Sequence, residues 1–137
     1  MGRFRFSLET LLQIRASQES SAAQALAQAN QEKSLCQSDL DRVMSDSRSL
    51  NDALSEGGVA ASISIALRPG LRLNAERARV SLTAKQAVVD QRLAEWQQAK
   101  LRLSLLEKLR EARLKEHQRS ERLAEERWLD ERVIQSL

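Results

Sequence analysis

The sequence predicts an all-α fold, a long antiparallel two-helix coiled-coil hairpin in which helix 2 is longer and overhangs. Three observations carry this. Ala, Leu, Glu, Lys and Arg supply 75 of the 137 residues, above the roughly 50% typical of coiled coils and long helices. Apolar residues recur in steps of four and three along both halves. Turn-forming residues gather at one interior place, Gly57-Gly58 and then Arg68-Pro69-Gly70. With one Pro, four Gly, no Tyr and only Phe4, Phe6, Trp96 and Trp128 as aromatics, a sheet with its turns is excluded. A single domain over residues 1–137 follows, with helix 1 at about 8–55, a loop at about 56–70 and helix 2 at about 71–134.

Helix 1 opens with Ser7 as N-cap and Glu9 at the positive end of the dipole, while Phe6 can fold onto Leu11 as a hydrophobic staple. Its seam runs Leu8, Leu12, Arg15, Glu19, Ala22, Leu26, Ala29, Lys33, Cys36, Leu40, Val43, Ser47, Leu50 and Leu54, with ten of the fourteen apolar. The alanines around position 25 would let a partner helix approach closely. Helix 2 gives Leu71, Ala75, Ala78, Leu82, Lys85, Val89, Arg92, Trp96, Ala99, Leu103 and Leu106, nine of eleven apolar. Neither stripe is stable when exposed, because helices of this kind draw most of their stability from packing the apolar face. Two such stripes joined by a short connection fold back on each other.

The helix lengths then predict an overhang. At 1.5 Å per residue helix 1 spans roughly 70 Å and helix 2 roughly 95 Å. With Leu54 opposite Leu71, Leu8 meets His117, and about the last 20 residues of helix 2 have no partner in the chain. From Glu107 to Arg132, 16 of 26 residues are charged, in mixed order, and pairs such as Glu111 and Lys115 support a lone helix. Yet Leu123, Trp128, Leu129, Val133, Ile134 and Leu137 also lie there. An unpaired helix exposing these side chains is a candidate docking surface; the alternatives are fraying and self-association.

Chemistry finds no foothold in the sequence. One Cys, Cys36, and one His, His117, build neither a disulfide nor a metal cluster. Cys36 reads as a small apolar seam residue and His117 as a solvated surface residue. The chain contains no Gly-rich phosphate loop, no Ser-His-Asp arrangement and no acidic pair in a concave setting, and a two-helix hairpin lacks a pocket that excludes water. The expectation is a non-enzymatic chain with no cofactor, no metal and no small-molecule substrate. No run approaches the roughly 18 apolar residues of a membrane span, and Glu9 interrupts the only apolar stretch near Arg3 and Arg5; a soluble, cytoplasmic protein is expected. The net charge is +3, with eight basic and three acidic residues between 68 and 106. That basic middle lacks interleaved aromatics, so it reads as a solvated helix face, and nucleic acid is not an expected partner.

The segment "FRFSLETLLQIRASQESSAAQALAQA" beginning at Phe4, followed by "VVDQRLAEWQQAKLRLSLLEKLREARLKEH" and "ERLAEERWLDERV", resembles the bacterial flagellar export protein FliJ family. The resemblance covers about two thirds of the chain, and the order and spacing of the motifs carry it. It implies an antiparallel two-helix coiled coil similar to the central stalk of rotary ATPases. It also implies a non-enzymatic component of the flagellar type III export apparatus, needed for flagellum assembly and peripheral to the cytoplasmic face of the inner membrane at the flagellar base. The partners implied are the hexameric export ATPase, the membrane export gate protein and export chaperones. On this resemblance the overhang, with Leu123, Trp128, Leu129 and Val133, enters the ATPase ring together with the start of helix 1. The gate contact falls on Leu67 and Leu71, although Arg68-Pro69-Gly70 is read as interrupting the helix between them. The seam itself is carried by Leu12, Ala22, Leu26, Leu40, Leu82, Val89, Trp96 and Leu103. Three alternatives stay open: the equivalent stalk of an injectisome, a nucleic-acid binder using residues 68–102, and a homodimeric structural coiled coil.

Overall fold

The computed structural model describes residues 2–137 and is built of two helices, α1 (Glu9–Glu56) and α2 (Gly58–Ser136), with no strand among the described residues. α1 has 48 residues and α2 has 79. The chain divides into two compact units, Met1–Ser21 with Gln97–Leu137, and Ala22–Trp96. Each unit packs a stretch of α1 against an antiparallel stretch of α2.

In the Ala22–Trp96 unit the seam follows the four-three steps. Ala29, Ala75 and Val89 are buried, and Ala22, Leu26, Lys33, Cys36, Leu40, Val43, Ser47, Leu50, Leu54, Leu71, Ala78, Leu82, Lys85 and Trp96 are half-buried. Arg92 alone of the predicted α2 seam positions is exposed. In the other unit Leu12, Arg15, Glu19, Ala99, Leu103 and Leu106 are half-buried, while Leu8 stays 36% exposed. No side chain among the described residues is fully enclosed, and the accessible surface is 10666 Å². A globular chain of this mass would expose about 7,200 Å². Two helices shield only the face they share, so burial is a line rather than a volume.

The connection differs from the sequence expectation. In place of a loop at 56–70, the helical state is broken at Gly57 alone, and α2 continues from Gly58 through Pro69. Gly57 and Gly58 have φ of 76° and 70°. Two successive left-handed residues reverse the chain at once, which side chains with a Cβ resist. Helix persists past Pro69 because the seam does not need that position. Ala61, Ser64, Leu71 and Ala75 lie half-buried or buried in one phase, and Pro69 is on the exposed face. The hydrogen bond that proline forfeits belongs to the carbonyl of Ile65, itself 63% exposed, where water can replace it. The packed face on either side offsets the roughly 3 kcal/mol cost of an interior proline.

A tighter turn shifts the register. Cys36 Sγ lies 3.5 Å from Ser81 Oγ, Lys85 Nζ 3.2 Å from Glu32 Oε2, and Arg79 Nη2 3.7 Å from the Met44 sulfur. Pairing Leu54 with Leu71 would have placed Cys36 opposite Val89 instead. The start of α1 also sits one residue later than expected. Its first turn is closed by backbone bonds, Glu9 N–H to the Phe6 carbonyl at 3.1 Å and Leu12 N–H to the Leu8 carbonyl at 2.8 Å.

The register predicts that Ser81→Cys will form a disulfide with Cys36 under mild oxidation, seen as a mobility shift on a non-reducing gel, whereas Val89→Cys will not; the reverse outcome would restore the longer loop. The seam predicts that Ala29→Leu, at a position 5% exposed, lowers stability by about 1–3 kcal/mol through overpacking. Leu35→Ala, at a position 62% exposed, should change urea unfolding by under about 0.5 kcal/mol.

Candidate interaction surfaces

The segment before α1 is not helical, and its burial alternates: Arg3 and Arg5 are exposed, Phe4 is half-buried and Phe6 is buried. In an extended chain neighbouring side chains point to opposite sides, so two phenylalanines face inward and two arginines outward. Phe4 packs on His117, with ring centroids 5.5 Å apart and planes inclined by 49°. The Arg110 guanidinium sits 5.9 Å from the Phe4 centroid and donates to Glu9 Oε2 at 3.1 Å. His117 Nε2 lies 3.1 Å from Glu121 Oε1.

His117 is therefore a half-buried packing residue, not the solvated one expected, because the pinned N-terminal segment lies over it. The Glu9–Arg110 pair, with side chains 45% and 42% exposed, contributes no more than about 1 kcal/mol. Burial of Phe6 is the stronger anchor. Sequence reading missed this junction, although the signal was present: two of the four aromatics alternate with two arginines just ahead of the first helix.

Beyond Glu121, every residue of 122–137 is exposed. Leu123 is 46% exposed, Trp128 and Leu129 54%, Val133 59% and Ile134 68%. These residues do not form one patch. At about 100° per residue, Leu123, Leu129, Val133 and Ile134 fall within an arc of roughly 140°. Trp128 points about 170° away from the middle of that arc, with the Arg132 guanidinium 4.9 Å from its ring. The predicted ATPase-binding residues thus occupy two opposite faces of one helix.

In the Ala22–Trp96 unit, Leu67 is 55% exposed and Leu71 half-buried. The expected interruption between them is absent, because α2 is continuous there, and they stand one turn apart on one face. Both line an open groove of about 510 Å³, with Leu50 and Ala53 of α1 on its other wall. The remaining predicted residues, Leu12, Ala22, Leu26, Leu40, Leu82, Val89, Trp96 and Leu103, lie along the seam and not in either surface. Among the described residues no helix is long and apolar enough to cross a membrane. The exposed groups that remain suit binding through apolar area and charge, not bond-making in a closed site.

A family model described as the flagellar FliJ protein matches residues 4–137. No curated protein and no solved structure matches the chain.

The anchor predicts unequal effects at the junction. Phe6→Ala should destabilise toward the low end of the ~3–5 kcal/mol range for phenylalanine truncation, and Glu9→Gln by under about 1 kcal/mol, both read by urea unfolding. Equal losses would mean that the ion pair holds the segment as strongly as the ring does.

Proposed function

The chain belongs to the flagellar FliJ protein family, a non-catalytic component of the flagellar export apparatus, and we propose that it is the stalk linking the export ATPase ring to the membrane export gate. The observation that carries this reading is the two-faced exposure of residues 122–137. A groove takes up one face of a helix. A helix with aliphatic groups on one side and a tryptophan on the other fits a partner that surrounds it, and a hexameric ring does so. Leu123, Trp128, Leu129 and Val133 would make the ring contact, with the start of α1 beside them.

At the other contact, Leu67 and Leu71 would meet the export gate protein. Their groove is apolar and open, which suits a short helical or extended segment of a partner. Export chaperones would bind elsewhere on the exposed helix faces. In this role the protein sits peripherally at the cytoplasmic face of the inner membrane, at the flagellar base, and uses no cofactor and no small-molecule substrate.

Titration of the chain into the purified export ATPase should raise ATP turnover. Trp128→Ala and Leu129→Ala should each weaken that stimulation by at least about tenfold, as expected of anchors worth more than about 1.4 kcal/mol. Both variants should keep their helicity by circular dichroism. No stimulation at saturating concentrations of folded protein would shift the reading to an injectisome stalk or another coiled-coil adaptor. Affinity for DNA falling steeply with salt would favour the nucleic-acid reading of residues 68–102.

A further inference from the structure

We propose that the junction of the N-terminal segment with α2 is a second binding site, one for an acidic peptide segment. An open pocket of about 530 Å³ lies there, lined by Arg3, Phe4, Arg5, Phe6, Arg113 and His117 among others. Among the described residues Arg3, Arg5 and Arg113 make no ion pair or side-chain hydrogen bond, in contrast to Arg110, which Glu9 and the Phe4 ring already occupy. Three such arginines lining one concavity, with Glu116 the only carboxylate among the described residues that line it, leave a local excess of positive charge.

The pocket holds those charges in place. Phe6 is buried and Phe4 is packed on His117, so the backbone at Arg5 is fixed on both sides and that at Arg3 on the side of Phe4. Little backbone ordering is left for a ligand to impose. Guanidinium groups present paired N–H donors that match a planar carboxylate.

Nucleic acid fits this place poorly. Single strands need free ring faces for stacking bases and a basic groove that tracks the backbone. Phe4 is taken up by His117 and Arg110, so its ring is already engaged. The pocket includes none of residues 122–137, and its test needs no ATPase.

The experiment is fluorescence anisotropy of a labelled oligoglutamate peptide titrated with the full chain at several salt concentrations. The expected result is saturable one-to-one binding that weakens as salt rises. Arg3→Gln, Arg5→Gln and Arg113→Gln combined should weaken it by about tenfold or more. A control carrying Arg68→Gln, Arg72→Gln and Arg77→Gln, which removes equal charge in the other unit, should bind as the parent does. Trp128→Ala should leave peptide binding unchanged even if it abolishes ATPase stimulation. Circular dichroism checks that each variant stays helical. Equal weakening in both triple variants, or no saturable binding at low salt, would overturn the site. Tighter binding of inorganic phosphate or of a single-stranded oligonucleotide to the same three arginines would overturn the assignment to carboxylates.

Discussion

In each compact unit a half-buried apolar seam between α1 and α2 holds the structure, and the other features depend on it. Two helices can cover only the face they share, so seam residues such as Leu26, Leu40 and Leu82 stay partly wet. Among the described hydrophobic residues only Phe6, Ala29, Ala75 and Val89 fall to 9% exposure or below. Stability therefore accumulates along the length of the contact rather than in a core. The small residues matter as much as the large ones, because Ala29 and Ala75 are the places where the backbones come close enough to exclude water.

The same constraint explains how α2 tolerates a proline and a glycine in its interior. A helix in a globular core has several packed faces, and a break in any of them disturbs the interior. Here Pro69 and Gly70 lie on the exposed side, and the seam runs past them through Ser64, Leu71 and Ala75. Ser64 is the most buried polar side chain, and its hydroxyl donates back to the Ala60 carbonyl at 2.8 Å. It adds bulk at the seam without leaving an unpaired donor. Continuity of the helix in turn keeps Leu67 and Leu71 on one face and makes the groove between them and α1 available to a partner.

The paired and the unpaired stretches of α2 have opposite surface properties. Where α1 lies beside α2, charges are spread over solvated faces, and ion pairs such as Glu32–Lys85 trim the edges of the seam. Past Glu121 the longer helix loses its partner, and apolar groups that would have been seam or flank become contact area for another protein. The N-terminal junction stands between these regimes. There two phenylalanines close the end of the packed interface and in doing so hold Arg3 and Arg5 outward.

Composition, periodicity and the clustered turn residues determined the fold class, the seam and the disparity in helix length, because a four-three stripe needs a partner helix to cover its apolar face. The motifs of the opening and later segments determined the family. The turn, the register and the N-terminal junction were decided by tertiary structure. Pro69 and the glycines near it look like a loop to a local reading, since their intrinsic cost is visible in sequence and the packing that offsets it is not. Gly57 and Gly58 show their consequence only when their left-handed backbone reverses the chain. Register follows from that turn, and with it the pairing of Cys36 with Ser81 and of Phe4 with His117. Likewise Leu123, Trp128, Leu129 and Val133 were legible as exposed apolar residues, but their division between two faces depends on helix phase. That no other element covers either face is a property of the folded chain, because burial is a relation between segments and not a property of any one of them.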